Sequence, residues 1–166
     1  MSVLLRQRWT VATVLLVPLL VLATPAPLKL AGVSPSWQVL WLLPWALVDG
    51  PLSGAAAGVA LGLISDGLHP GPISEVPAFA LLGWWWGRLG RKAPPIERSF
   101  SLGLLALLGT ALQGLLIWMQ QLWWGGNNLG ALHTLLAQTL LTGLLAPLLC
   151  SLQLLFWRQL VPGVRG

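Results

Sequence analysis

Charge is scarce in this chain. Only 8% of its 166 residues are Asp, Glu, Lys or Arg, against about a quarter in an ordinary soluble domain. So few charges cannot shield a folded surface from water. With hydrophobic residues at 56%, the solvent this sequence is built for is lipid. Cysteine is nearly absent too. Cys150 is the single one, which excludes an internal disulfide, and its place inside an apolar run marks it as a small core residue. Also missing are the constellations that carry chemistry. There is no Ser-His-Asp or Cys-His set, no pair of carboxylates in one apolar run, no Walker motif, and no Lys or Arg deep in a span. The expectation is a protein that is not an enzyme, with no cofactor and no metal. His69 beside Asp66 does not make a ligand set.

What charge there is carries a pattern. The formal net charge is +5. In a soluble domain such a balance would point to nucleic acid, but here the positive residues sit in short segments between apolar runs, which argues against nucleic-acid binding. Those runs set the predicted spans, at about 9–28, 33–48, 51–66, 74–90, 100–124 and 130–157. A helix of about 20 residues crosses a hydrocarbon core of about 30 Å. Residues 99–157 hold no Asp, Glu, Lys or Arg at all, room for two crossings with a turn at Gly125, Gly126, Asn127 and Asn128. No segment is long enough to fold in water by itself, so the chain reads as one integral membrane domain. The N-terminal run after Arg6 and Arg8 has the outline of a cleavable signal peptide. Pro25 and Pro27 crowd the cleavage site, however, and the run reads as a retained signal-anchor helix.

The resulting fold class is all-α, a polytopic bundle of about six transmembrane helices. If the N-terminus lies inside, Arg6, Arg8, Arg88, Arg91, Lys92, Arg98, Arg158 and Arg165 share the inner side and only Lys29 lies outside, as the positive-inside rule demands. Both termini are then cytoplasmic. The second and third spans are short and could form a re-entrant pair without changing that parity. Trp9, Trp84, Trp85, Trp86 and Trp157 fall beside arginines at the expected inner interface, and Trp123 and Trp124 fall at the outer turn, where indole rings settle among headgroups.

The stretch from Leu47 to Gly71 is the most informative. Asp49, Gly50 and Pro51 form a tight break in which Asp49 can cap the third predicted span. Gly50, Gly54, Gly58 and Gly62 then recur every fourth residue. On a helix they give one face almost free of side chains, a groove that another helix can approach closely, from this chain or from a partner. Asp66 continues the spacing at the outer end, either as a functional acid or as a loop carboxylate that fixes the turn. Trp37, Trp41 and Trp45 form an aromatic stripe suited to packing, to lipid contact or to a partner helix. Gln113, Gln120, Gln121, Gln138 and Gln153 can hydrogen-bond between helices. Pro147 frees the carbonyl of Gly143 and is expected to kink the last helix.

These features, together with the stretch PLSGAAAGVALGLISDGLHPGPISEVPAFALLGWWWGRLGR, resemble MreD, the rod-shape-determining membrane protein family of bacteria. In that family a Gly-rich helix ends in an acid, a Gly/Pro outer loop follows, and an apolar helix finishes in a basic cytoplasmic loop. The matching positions are Gly54, Gly58 and Gly62, then Asp66, Gly71, Gly83 and Gly87, then Arg88, Arg91 and Lys92. TLLTGLLAPLL around Pro147 is similar to the family's last helix, whereas Pro72 and the Trp84–Trp86 run depart from its pattern. The resemblance implies a non-catalytic scaffold of the cell-elongation complex in the inner membrane. Its expected direct partner is MreC, and through MreC the glycosyltransferase RodA, a class B penicillin-binding protein and the MreB filament. The exposed part of the Gly50–Gly62 face, or the Trp37–Trp45 stripe, is expected to receive the MreC helix. Because the family is thought to share a fold with substrate-binding subunits of energy-coupling-factor vitamin importers, the alternative is an importer component with an outward pocket near Asp66, His69 and Glu75. The bulky first span lacks the paired alanines that would dock a coupling subunit. A lipid-modifying enzyme is a third option, and it lacks a catalytic set.

Overall fold

The computed structural model describes residues 17–18, 32–68, 71–92, 99–124 and 129–160. Within them the fold is all-helical: α1 (Trp37–Asp49), α2 (Pro51–Leu68), α3 (Val76–Lys92), α4 (Ser99–Trp123) and α5 (Leu129–Leu160). Of the first predicted span only Val17 and Pro18 are described, and Val17 is buried in the core. The turn at Gly125–Asn128, His69 and both termini lie outside the described residues.

Three helices are long and apolar enough to cross a membrane: α2, and the parts of α4 and α5 spanning Ser101–Trp123 and His133–Phe156. Helix α1 is different. Thirteen residues rise about 20 Å, well short of a hydrocarbon core of about 30 Å. It lies inside the bundle instead, with Val39, Leu42, Leu43 and Ala46 fully buried. A short helix is tolerated at membrane depth when protein covers it, because its terminal N–H and C=O groups can then find protein partners. At its N-terminus the Ser36 N–H donates to Thr142 Oγ1 of α5 (2.9 Å), and Ser36 Oγ reaches Gln113 Oε1 of α4 (3.4 Å).

The corner between α1 and α2 depends on one residue. Gly50 has φ 95° and ψ −179°, a conformation essentially closed to residues with a Cβ. Pro51 then begins α2, at a position where a missing N–H costs nothing. The Trp45 indole N–H donates to Ser53 Oγ (3.1 Å), and Ser53 Oγ donates to the Asp49 carboxylate. Asp49 thus holds the first turn of α2 through Ser53. Gly50 belongs to this corner and not to the helical glycine face on which the four-residue spacing placed it.

Helices α2 and α3 form an antiparallel hairpin, and α4 packs along α5. Apolar side chains cover the outside of that pair. Leu104, Leu108, Leu115 and Met119 on α4, and Leu140, Leu144 and Leu148 on α5, are each roughly half exposed or more. That is the surface expected of a bundle solvated by hydrocarbon.

Candidate functional site

The glycine face of α2 is occupied by α3 of the same chain. A Cβ on Gly54 would strike the Gly83 carbonyl, and a Cβ on Gly83 would strike the Gly54 carbonyl. Gly58 lies against the backbone of Phe79, and a Cβ added to Gly62 would come within 2.5 Å of Val76 Cα. Toward the other end Gly87 meets Pro51 and Gly90 meets Leu47. Each turn back along α2 is matched by a turn forward along α3, so small residues on both helices set one register. In lipid this close backbone contact supplies the van der Waals attraction that holds helices together. No room is left on the face for a second chain.

The tryptophan stripe is likewise internal. Trp37, Trp41 and Trp45 are 7%, 6% and 3% exposed, and the rings of Trp41 and Trp45 stack with centroids 4.8 Å apart. Because α1 is wrapped by the other helices, all three indoles pack against protein and none forms an open surface for lipid or a partner helix. The Trp84–Trp86 run divides in a similar way. Trp84 is 43% exposed, with the Arg88 guanidinium 4.8 Å over its ring, as an interfacial tryptophan should be. Trp86 is fully buried against Gly109 of α4, so its ring faces the bundle interior. Trp123 and Trp124 are exposed at the end of α4.

Asp66 acts on the turn. Its Oδ2 accepts from Ser74 Oγ (2.7 Å) and its Oδ1 accepts from the Glu75 backbone N–H (2.8 Å). Ser74 Oγ in turn accepts from the Val76 N–H (3.3 Å). The carboxylate at the end of α2 therefore satisfies the otherwise open N-terminus of α3, where negative charge is favoured. Gln120 of α4 clamps the same turn, accepting from Ser74 N–H (3.2 Å) and donating to Ser74 C=O (3.1 Å). Pro147 sits within an α5 that continues past it, and its ring packs on Gly103 of α4. Cys150 is fully buried and its thiol points at the Leu40 carbonyl (3.4 Å). Among the described residues no group of three or more His, Cys, Asp or Glu could hold a metal ion.

Behind the turn the helices do not close. Two cavities of about 260 and 220 Å³ share Ser65, Glu75 and Ile117. The smaller one opens beside Asp66 and Gly71. The larger one is walled by Trp37, Gln38, Gln113 and Gln138. Gln38 donates to Ser65 Oγ across its wall (3.0 Å). Sequence reasoning had singled out Gln113 and Gln138 as polar residues in apolar helices, but it had missed Gln38 and the convergence of all three. The cavity lies at the turn end of the hairpin, opposite to the end of α3 that carries Arg88 and Arg91. No family model matches the chain, and neither the curated proteins nor the solved structures provide a match.

Proposed function

We propose that this chain is an MreD-like scaffold of the bacterial inner membrane, a non-catalytic protein that guides cell-wall elongation by binding the membrane helix of MreC. In this reading the chain crosses the membrane six times with both termini in the cytoplasm, and it meets RodA, the class B penicillin-binding protein and MreB through MreC. The observation that carries the reading is the α2–α3 hairpin. Of the residues that resemble the family pattern, the glycines join α2 to α3, Asp66 holds the start of α3 and Arg88 lies over Trp84 at its basic end, so these fall within one packed unit.

The docking surface differs from the one expected from sequence, since the glycine face and the tryptophan stripe are used internally. The open face of α2 lies on the opposite side, where Leu52, Ala56, Val59, Ala60 and Leu63 are exposed. Ala56 and Ala60 are one turn apart and let a single helix approach closely. On this reading the MreC helix lies there. Affinity purification from native membranes, with the captured proteins identified by mass spectrometry, tests the proposal. Recovery of MreC supports it, and recovery of an ATPase-coupled membrane subunit in its place supports the importer reading.

The importer reading keeps one specific observation in its favour. A pocket near Asp66 and Glu75 is what it requires, and two cavities lie there.

A further inference from the structure

The last turns of α3 carry a stripe that points away from the rest of the protein. Leu81, Trp84, Arg88 and Arg91 follow one another at intervals of three and four residues, which sets them in a row along one side of a helix. All four are exposed. The other two sides of α3 are taken. Gly83, Gly87 and Gly90 close on α1 and α2, and Ala78, Phe79, Leu82 and Trp86 are buried in the core. The stripe changes character over a rise of about 15 Å. It begins with an aliphatic side chain, passes to an indole and ends in two guanidiniums. Acyl chain, headgroup boundary and phosphate follow in the same order on leaving a bilayer leaflet.

Both guanidiniums are held in place. Arg88 lies over the Trp84 ring, 4.8 Å from its centroid. A guanidinium stacked by its face still directs its N–H donors outward in its own plane, in a fork that matches two phosphate oxygens. Arg91 lies against the α1–α2 corner, with Nε and Nη2 each 3.2 Å from where a Cβ on Gly50 would stand. Three residues apart on one helix, the two cations repel each other, and a shared anion relieves that repulsion. The surrounding sequence is basic even with its acids matched, since Arg88, Arg91, Lys92 and Arg98 stand against Asp49 and Glu97. We infer that the stripe from Leu81 to Arg91 binds one anionic phospholipid, with its phosphodiester at Arg88 and Arg91, its glycerol beside Trp84 and an acyl chain along Leu81. A zwitterionic lipid offers the same phosphate but brings an ammonium, which the excess of positive charge repels. An acidic protein segment matches the arginines but leaves Leu81 and the indole without a counterpart. The inference needs the chain to lie in lipid and does not depend on the scaffold reading.

The test titrates the full chain, purified in a neutral detergent, with dioleoyl phosphatidylglycerol and with dioleoyl phosphatidylethanolamine. Bound lipids are counted by native mass spectrometry. The expected result is a first phosphatidylglycerol that binds about tenfold more tightly than phosphatidylethanolamine. Arg88→Gln and Arg91→Gln each lower that affinity about tenfold, the loss of one charge-assisted contact. Arg158→Gln removes the same charge from the end of α5 and leaves the affinity unchanged. Because Arg88 is exposed, its variant should elute as the parent chain does. Equal binding of the two lipids would overturn the inference and leave the arginines to an acidic protein segment. So would full affinity in both arginine variants of α3, or an equal loss in Arg158→Gln, which reduces the effect to net charge.

Discussion

Gly54 and Gly83 meet backbone to backbone, each lying where a side chain on the other would have to go. This contact makes the hairpin intolerant of added atoms. Substituting either by Ala forces the helices apart, and overpacking of this kind typically costs about 1–3 kcal/mol. Thermal unfolding of the purified chain in detergent should show a lowered midpoint for Gly54→Ala and Gly83→Ala. Gly67 is the internal control. It is an exposed helical glycine with nothing within 4 Å of an added Cβ, so Gly67→Ala should leave the midpoint unchanged or raise it, by up to about 1 kcal/mol in stability.

At the α1–α2 corner, Gly50→Ala meets two obstacles, the backbone angle and the Arg91 guanidinium 3.2 Å from the new Cβ. A non-glycine residue held in such a conformation costs about 1–3 kcal/mol. Gly50→Ala should therefore lower the unfolding midpoint although it removes no contact.

The two roles considered for Asp66 separate by substitution. Asn keeps an oxygen for the Glu75 N–H and a polar partner for Ser74 Oγ, whereas Ala keeps neither. If the residue works by holding the start of α3, Asp66→Ala should lose about 0.5–2 kcal/mol, as lost helix caps do. Asp66→Asn should then retain most of the stability and also restore cell shape in a complementation assay. Loss of complementation by a stable Asp66→Asn protein would mark the carboxylate as functional.

Cys150 should resist maleimide in the folded protein, because its sulfur is sealed between α5 and the Leu40 carbonyl and buried thiols are inert. A mass shift should develop only after denaturation. Rapid labelling of the native chain would contradict the packing of α1 against α5.

One half of the hairpin is legible in the sequence, as the small-residue face of α2. Gly54, Gly58 and Gly62 announce a close approach, but the sequence leaves open whether the approaching helix belongs to this chain, and only the structure shows Gly83, Gly87 and Gly90 completing the seam. The position of the tryptophans was not legible. In lipid an apolar side chain is content facing either acyl chains or another helix, so hydropathy does not separate Trp41, which is buried, from an indole on the outside. Three consecutive tryptophans point about 100° apart on a helix, and only Gly109 on α4, 23 positions downstream of Trp86, shows which one turns inward. The shortness of α1 is visible in the sequence, but its burial inside the bundle is not. The second predicted span, about 33–48, is already short for a crossing, and the helix occupies only its later part. The polar cavity was hidden for a related reason. Gln38, Glu75, Gln113 and Gln138 are far apart in the chain, and each resembles an isolated polar residue until the fold brings them together.

The division of α2 into an inner face that binds α3 and an outer face that binds a partner is the centre of this account. A photo-crosslinking residue placed in turn at Ala56, Ala60 and, on the far side of the bundle, Leu144 tests it in living cells. The account predicts covalent capture of MreC from positions 56 and 60 and none from 144. Capture from 144 alone, or equally from all three positions, would contradict it.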